Sequence, residues 1–432
     1  MSSGKKVVIV GAGVSGCSIA YHLARRGVAS TIVERESIGT RASGKAWAVI
    51  AYPPSDVLHE RLPPDLGGDA NPLQGLDSIP SEAEGYASWI DLFWMGYFGI
   101  RDLVREIEQD SGIDVGFAEG RHTLLVDDSH DPRSARDRLL ALVRGIAASE
   151  YQWIDADELR ASVPGISRAF VGGLSSPEFQ IEPYKFTLAL AQAAEKRGVE
   201  IRHGEVVGFG TRGDRVTSVR LASGHELDAE AVVLAVGPWS EQLAAKLGCE
   251  LPIANALDDC IRVEVDEPLP LHSLSYGDSW IIPLRDGDVI CASWHDGVES
   301  RRRSDFDASL SDEAALQVMA RVTRILPSLE QARLVEHRGD LLAYAPPAPC
   351  ERPVLGRIPG WENAHVATRF GGSGMMLSPG VGELMAGLVA DGSIPLRARQ
   401  LMDVLSPAPR RDLPDADLHE DLDRSPRRVG SQ

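Results

Sequence analysis

The first part of the chain alternates between short apolar runs and one amphipathic stretch. The run Val7-Val8-Ile9-Val10 is β-branched, the apolar positions of 18–26 recur at helical spacing, and 30–33 is β-branched again. Short β-branched runs favour strands, whereas apolar residues at every third or fourth position favour a helix that faces a core. This segment is therefore predicted to fold as one βαβ unit.

Similar patterns continue through the rest of the chain. Helical periodicity recurs at 89–107, 134–148, 183–197 and 312–326, and strand patterns occupy 199–201, 206–227, 231–236, 260–265 and 280–294. Residues 53–80 are rich in Pro, Gly and Asp without a clear period, which predicts a long surface excursion. Residues 393–432 gather Pro, Asp, Arg and Ser, which predicts a disordered tail. The order of elements predicts an α/β fold in which a Rossmann-like domain is interleaved with a mostly antiparallel α+β domain.

Composition narrows the range of functions. At 432 residues and 43% hydrophobic, the chain can bury two cores, and it has no apolar run of the ~18–20 residues that a membrane span needs. A net charge of -19 disfavours nucleic acids and anionic membranes as partners. The five cysteines show neither a CxxC pair nor metal-ligand spacing, which favours a reducing compartment and no metal site. We expect a cytoplasmic protein that acts on small molecules.

The turn after the first predicted strand carries a dinucleotide fingerprint, Gly11-Ala12-Gly13-Val14-Ser15-Gly16. Gly11 permits a tight turn, Gly13 lets the backbone approach a pyrophosphate, and Gly16 lets the following helix pack closely on the sheet. The helix N-terminus adds free N–H groups and positive potential. Three glycines alone also fit an ordinary turn, but their position between strand and helix favours the dinucleotide interpretation.

An acidic residue ends the second predicted strand. Glu34 lies ~20 residues beyond the glycines, where a carboxylate accepts hydrogen bonds from ribose hydroxyls and repels the 2′-phosphate of NADP. This fingerprint is common to FAD and NAD sites. The choice between them depends on the rest of the chain.

Three further segments carry longer motifs. They are Glu34-Arg35-Glu36 through Ala42-Ser43-Gly44-Lys45-Ala46, then Phe179–Tyr184 through Val199 with 232–239, and finally Pro353–Arg357 through 371–380. Together they resemble the D-amino acid oxidase superfamily of FAD-dependent oxidoreductases, in particular its glycine oxidase and sarcosine oxidase branch, over most of residues 5–392. In that family the first segment is the flavin-side loop and the third closes over the pyrimidine edge of the flavin. The resemblance favours FAD over NAD, and the chain shows no second Gly-x-Gly-x-x-Gly unit for a separate NADH site.

The resemblance also implies domain limits and cofactor contacts. Residues 1–50, 165–240 and 335–392 are expected to form the FAD-binding domain, and 51–164 with 241–334 the substrate domain. The residues expected to contact FAD are Gly11, Gly13, Val14, Ser15, Gly16, Glu34, Arg35, Ser43, Gly44, Lys45, Ala46, Val206, Val207, Ala235, Gly237, Trp239, Gly356, Gly371, Gly372, Ser373, Gly374, Met375 and Met376.

Departures from the family pattern bear on the cofactor linkage and on the substrate. Branches with covalent flavin have a His in the flavin-side loop or a Cys ahead of the final Gly-rich loop. This chain has no His between His22 and His59, and Cys350 falls near the usual acidic turn, so noncovalent FAD is expected. The family's carboxylate-binding arginine is missing from 342–346. The family's Gly-His before the late Gly-Gly is replaced by Arg369-Phe370, which makes Arg369 either an anion-binding residue or an ion-pair partner in the loop.

The resemblance implies hydride transfer from a C–H bond beside an amine to flavin N5, a reaction without an obligatory catalytic base. Lys45 is a candidate for a positive charge near N5 or the pyrophosphate, or else a solvated loop lysine. Tyr276, Trp280 and Trp294 are candidates for the substrate pocket, although aromatic strand residues often serve only the core. Two alternatives stay open: a flavoenzyme for a hydroxy acid or secondary-metabolite substrate, and a noncatalytic FAD-binding subunit. The electron acceptor, oxygen or another carrier, is also open.

Overall fold

The computed structural model describes residues 6–47, 49–52, 83–144, 150–293, 302–303, 305–344, 353–392, 394, 399, 401–402 and 405–407. The α-helices are Val14–Arg25 (α1), Ala83–Ser111 (α2), Pro132–Arg144 (α3), Ala156–Ser162 (α4), Pro183–Lys196 (α5), Ser240–Ala245 (α6), Asp312–Ile325 (α7) and Gly374–Asp391 (α8). The strands are Val7–Val10 (β1), Ser30–Glu34 (β2), Val49–Ala51 (β3), Ala118–Asp127 (β4), Gln152–Asp155 (β5), Phe170–Gln180 (β6), Glu200–His203 (β7), Val206–Arg212 (β8), Arg215–Leu221 (β9), Glu226–Asp228 (β10), Ala231–Leu234 (β11), Ala254–Glu264 (β12), His272–Tyr276 (β13), Ser279–Pro283 (β14), Val289–Ser293 (β15), Arg302–Arg303 (β16), Arg333–Tyr344 (β17), Val354–Arg357 (β18) and Ala364–Thr368 (β19).

A six-stranded sheet carries the predicted βαβ unit. Its order is β18-β19-β11-β1-β2-β7, and all neighbours are parallel except the antiparallel edge pair β18 and β19. β1 and β11 are buried at every position, which explains why both are continuous apolar runs. The prediction of a Rossmann-like α/β domain is confirmed. Because the parallel strands share a direction, the turns after β1, β2, β11 and β19 meet at one edge of the sheet.

The second sheet has ten strands: eight in the order β16-β12-β15-β14-β13-β4-β6-β3, with β17 beside β12 and β5 beside β6. In a flat sheet, five strand spacings, ~24 Å, would separate β12 from β6. However, Arg262 on β12 lies 3.5 Å from Glu182, which follows β6 by two residues, and Arg338 on β17 lies 3.9 Å from the same carboxylate. The sheet is therefore strongly curled. By strand alternation its concave face carries Arg262, Arg338, Glu178 and Trp280.

Helix α2 packs against the helices of the six-stranded domain. A side chain at Gly96 would lie 2.1 Å from the carbonyl oxygen of Met376 on α8, so the two backbones are in close contact. The hydroxyl of Tyr21 on α1 donates to Glu106 at 3.0 Å. The assignment of 89–107 to the substrate domain stays a prediction.

Two predicted limits differ from the structure. Strand β6 lies within the predicted FAD segment 165–240, and most of β17 within 335–392, yet both belong to the ten-stranded sheet. The predicted disordered tail from 393 is wrong for Leu401, Met402 and Leu405, which are buried in the main hydrophobic core. The rest of the domain division stays a prediction. Among the described residues, no helix is long and apolar enough to cross a membrane.

Candidate active site

The turn between β1 and α1 has a geometry that only glycine allows. Gly11 has a φ of +103°, and a Cβ there would lie 2.5 Å from the carbonyl oxygen of Ala235 at the end of β11. A Cβ at Gly16 would lie 2.0 Å from the carbonyl oxygen of Gly11. Both distances are far inside van der Waals contact. The two glycines therefore hold β1, β11 and α1 together.

The N-terminus of α1 opens beside Gly13. A Cβ on Gly13 would meet only Ser43 Oγ, at 3.1 Å, and this hydroxyl accepts a hydrogen bond from the Val14 N–H at 3.0 Å. The first N–H groups of a helix lack intrahelical partners and carry positive potential. The turn, the first turn of α1 with Ser15, and Ser43 thus form a cradle of backbone donors for a phosphate group.

The carboxylate of Glu34 is fixed towards this cradle. One oxygen accepts the N–H of Ala12 at 2.8 Å, and the other accepts the N–H of Glu36 at 2.8 Å. Glu34 ends β2, next to β1 in the sheet. These contacts hold the carboxylate in the place where a dinucleotide presents its ribose hydroxyls.

The turn after β11 carries Trp239, whose ring is in contact with two arginine side chains. The guanidinium of Arg35 lies 4.3 Å and that of Arg41 5.3 Å from the ring centre of Trp239, and Phe306 stacks at 5.4 Å. Such cation–π contacts hold arginine side chains in place. Trp239 therefore fixes two positive charges beside the cradle.

The loop from Ala42 to Trp47 leads from the cradle to the concave face of the ten-stranded sheet. The ammonium of Lys45 lies 2.9 Å from a carboxylate oxygen of Asp340, and Arg41 lies 3.7 Å from the same atom. The Asp340 side chain is only 1% exposed, and its other oxygen accepts the N–H of Leu341 at 2.8 Å. The buried carboxylate of Asp340 thus fixes Lys45 of the loop and Arg41, which directly precedes the loop. Sequence reasoning missed it, although the acid within the apolar run 339–344 was a usable signal.

The same loop is held by two further contacts with the concave face. Arg338 donates to the carbonyl oxygen of Ala46 at 3.0 Å, and the Cys260 thiol donates to that of Lys45 at 3.8 Å. Burial raises the pKa of the Cys260 thiol to about 12, so the sulfur stays protonated.

The turn after β19 contains an arginine in a left-handed conformation. Arg369 has a φ of +63°, a non-glycine residue in the region that glycine favours. This position corresponds to the glycine of the Gly-His pattern described above, which explains why the backbone takes this shape. Such strain costs about 1–3 kcal/mol and is concentrated at functional sites. The Thr368 hydroxyl donates to the Gly237 carbonyl at 3.0 Å and joins this turn to the one after β11.

The predicted pocket aromatics lie on opposite faces of the ten-stranded sheet. Trp280 is on the concave face, stacked 4.6 Å from the His122 ring and 6.3 Å from the Trp47 ring at the end of the loop. The Tyr276 hydroxyl donates to Asp127 on the convex face, and its ring packs on Phe170. The prediction that Tyr276 lines the pocket together with Trp280 is therefore wrong, because one residue of register reverses the face. Trp294 lies outside the described residues.

One protein family accounts for this arrangement. The model of the family described as FAD dependent oxidoreductase (DAO) matches residues 6–388. The chain belongs to this family.

This FAD-dependent oxidoreductase has relatives that match over nearly its whole length. The hydrogen cyanide synthase subunit HcnC of Pseudomonas aeruginosa is 26% identical over 411 residues, 90% of this chain and 93% of that protein. The glycine oxidase of the same organism is 28% identical over 394 residues, 89% of this chain and 95% of that protein. The solved structure of glycine oxidase from Geobacillus kaustophilus matches with a TM-score of 0.76 at 22% identity, over 94% of this chain and 100% of that chain. The predicted superfamily and fold are confirmed.

The site of this oxidoreductase fits FAD on its own geometry. The cradle at Gly13 leaves room for a pyrophosphate, Glu34 faces the ribose position, and the loop 42–47 extends from the cradle to the substrate sheet. A two-part cofactor with an ADP half and a flavin half matches that elongated path.

The remaining predicted contacts lie on several elements, and Val206 and Val207 belong to β8 of a separate three-stranded sheet, β10-β9-β8. Val206 is buried in the cluster that includes Val33 of β2, whereas Val207 is 43% exposed. Gly356 lies on the edge strand β18 with a φ of +134°. Gly371, Gly372 and Ser373 form a short 3-10 turn that leads into Gly374, Met375 and Met376 at the start of α8. Their contacts with FAD stay a prediction.

Proposed function

We propose that this FAD-dependent oxidoreductase removes a hydride from a C–H bond next to the nitrogen of an amine or amino acid. The observation that carries the proposal is the path of the loop 42–47. It begins at the phosphate cradle and ends at Trp47, against Trp280 on the substrate sheet. The glycine oxidase of Pseudomonas aeruginosa, 28% identical to this chain, supports the substrate class.

The chain's own residues bind and orient. The cradle and Glu34 hold the ADP half of the cofactor, while Lys45, fixed by Asp340, places a positive charge at the flavin end. Trp47 and Trp280 form an aromatic wall that excludes water from the reacting centre. When bound, the flavin supplies the hydride acceptor at N5, so orientation of the substrate is the main task of the protein.

We further propose that FAD is held without a covalent bond. Covalent flavin needs a reactive Cys or His, and the cysteine beside the loop, Cys260, is fully buried with its pKa raised to about 12. Its contact with the Lys45 carbonyl gives it a structural part in the loop.

Arg369 is proposed to bind an anionic group of the substrate. It stands in the turn after β19, beside the turn after β11, and its backbone keeps a strained shape. A guanidinium binds a carboxylate through two parallel hydrogen bonds, which replaces the arginine missing from 342–346.

The test is anaerobic reduction of the purified yellow protein. Acid precipitation should release FAD, and mixing with a panel of primary and secondary amines and amino acids should bleach the flavin absorbance. The matching hydroxy acids serve as the control panel. Bleaching by hydroxy acids alone would show the alternative substrate class, and no bleaching by either panel would leave only an FAD-binding subunit. Admitting oxygen or an artificial acceptor to the reduced protein then identifies the electron acceptor.

A further inference from the structure

A group of polar side chains is buried inside the curl of the ten-stranded sheet, on the same face as Trp280. Ser273 donates to Glu178 Oε1 at 2.6 Å, and the Gln180 amide donates to the same oxygen at 3.2 Å and to Ser273 Oγ at 3.3 Å. Glu178 and Ser273 are 0% exposed and Gln180 is 1% exposed. We call these three residues the Glu178 cluster. A carboxyl group buried so completely is rare without a partner of opposite charge.

The cluster has hydrogen-bonding capacity left over. Glu178 Oε2 and Gln180 Oε1 are buried and have no hydrogen-bond partner among the described residues. Leaving a buried polar atom unsatisfied is unfavourable, and native proteins avoid it unless a ligand or water completes the site. Both leftover atoms are oxygens that accept hydrogen bonds. When Glu178 is ionised, both atoms can only accept, so the missing partner of the carboxylate form is a donor.

The cluster faces the proposed substrate site. In the antiparallel pair of β3 and β6, Val49 stands opposite Gln180 and Ala51 opposite Glu178, and β3 begins two residues after Trp47. Ser273 lies beside His122, whose ring stacks on Trp280 on the same face. The Glu178 cluster thus continues the aromatic wall. Glu178 lies one pleat step, about 7 Å, further than Gln180 from the loop that reaches the flavin.

We propose that the Glu178 cluster binds a protonated amine at the end of the substrate remote from the flavin. An ammonium group carries three N–H donors and no acceptor, which matches the two leftover oxygens. The inference rests on the proposed function and makes it more specific. The substrates are amines with a second basic nitrogen.

The ionisation of Glu178 is consistent with such a site. Burial raises the pKa of the Glu178 carboxyl to about 8, against the lowering effect of Ser273 and Gln180, so without a cationic partner the carboxyl is mostly protonated at pH 7. His122 lies on the same face of the sheet as Glu178. Tyr97 on α2 also lies near Glu178: burial raises the pKa of Tyr97 most, and the charges of Tyr52 and Glu178 raise it further. An ammonium partner stabilises the carboxylate, and the pair then carries no net charge.

The test compares ligands that differ by one nitrogen. Calorimetric titration of the FAD-loaded protein, with its flavin first reduced chemically and oxygen excluded so that no hydride transfer occurs, is done with straight-chain diamines of three to six carbons and with the monoamines of the same lengths. At one or more lengths the diamine should bind about tenfold or more tightly than its monoamine. The variant Glu178→Gln keeps the shape and should lose this preference. Equal affinities at all lengths, or a preference that survives in Glu178→Gln, overturn the proposal.

Two controls make the result specific. The first control is Ser175→Ala. Ser175 is a buried polar residue of β6 on the convex face, opposite to the Glu178 cluster, where its hydroxyl accepts a hydrogen bond from Arg121, so this variant should keep the diamine preference. If Glu178→Gln fails to retain FAD, Gln180→Met removes the other leftover oxygen and should weaken the preference. A full preference in that variant contradicts the proposal.

The outcome is separable from that of the proposed function. Glu178-dependent diamine binding without flavin bleaching by any amine supports the subsite and rejects amine oxidation. Bleaching by monoamines without a diamine preference supports amine oxidation and rejects the subsite.

Discussion

The ammonium of Lys45 and the buried carboxylate of Asp340 lie 2.9 Å apart, across 295 positions of sequence. Lys45 belongs to the loop from Ala42 to Trp47, which leads away from the phosphate cradle, whereas Asp340 belongs to β17 of the ten-stranded sheet. The pair therefore joins the cofactor loop to the substrate sheet. It also fixes a cation at the place where we expect the flavin ring.

Replacing Asp340 should change the flavin potential. In Asp340→Asn the charge of Lys45 is no longer compensated, so it stabilises reduced flavin more strongly and the midpoint potential should rise. Equilibrium redox titration measures the shift. Glu264→Gln, which alters an exposed acid paired with Arg333 at the far end of the β12–β17 pair, is the matched control and should leave the potential unchanged. An unchanged potential in Asp340→Asn would show that Lys45 does not face the flavin.

Replacing Glu34 should weaken FAD binding and leave the fold intact. Glu34→Ala removes the carboxylate expected at the ribose and its bond to the Ala12 N–H, so the FAD dissociation constant should rise about tenfold or more. Quenching of flavin fluorescence on titration of the apoprotein measures this constant. Glu36→Ala removes the next acid, which pairs with Arg41 at the surface, and should have a much smaller effect. Equal losses in the two variants contradict the ribose role.

Substitutions of Arg369 separate the side chain from the backbone. Arg369→Lys keeps a charge but loses the planar fork, so the apparent KM for a carboxylated amine should rise about tenfold. Arg369→Gly should give a similar loss but raise stability by about 1–2 kcal/mol, because glycine relieves the positive φ. Steady-state kinetics on a carboxylated and an uncharged amine, with thermal unfolding of each variant, provide the measurement. Equal KM changes on both amines rule out anion binding.

Stability should fall with pH because of Glu178. Its pKa in the folded protein is raised to about 8 from the ordinary 4.5, so between these values the folded state holds a proton that the unfolded chain has lost. The stabilisation is complete below pH 4.5 and disappears as pH rises through 8. Denaturant unfolding across this range should show a shallower fall in Glu178→Gln, which has no such proton. Parallel curves for the two proteins contradict the raised pKa.

The C-terminal region should divide into a necessary and a dispensable part. Leu401, Met402 and Leu405 are 2%, 6% and 1% exposed, and burial of each such side chain contributes about 1.5–3 kcal/mol. Ending the chain after residue 400 should therefore lower the Tm markedly. Ending it after 407 removes only polar, Pro-rich sequence and should leave both the Tm and the FAD content unchanged.

Local signals were sufficient for the cradle. Gly11, Gly16 and Glu34 act within one βαβ unit, where strand, turn and helix follow each other directly, so their spacing predicted their geometry. The same holds for the helix predicted at 312–326, observed as Asp312–Ile325. Such local structure depends on residues that are close together in the chain, so it can be predicted from the sequence.

The substrate side depended on long-range packing. Tyr276 and Trp280 are both aromatic strand residues, and only the register of the β13–β14 hairpin puts them on opposite faces. The sequence around Leu401, Met402 and Leu405 predicts a polar tail, and only the tertiary structure shows that these three side chains pack in the main hydrophobic core.

By itself, therefore, the sequence determined the Rossmann-like domain and the glycine turn with its acidic partner, because these follow from short-range backbone geometry, and its longer motifs carried the resemblance to the superfamily. The tertiary structure decided which residues share the concave face. Lys45 meets Asp340 only because a ten-stranded sheet curls until distant strands face each other, and Glu178 meets Ser273 because strand pairing puts β6 and β13 on either side of β4. Curling is a collective result of strand twist and packing over the whole sheet, and no single segment encodes it.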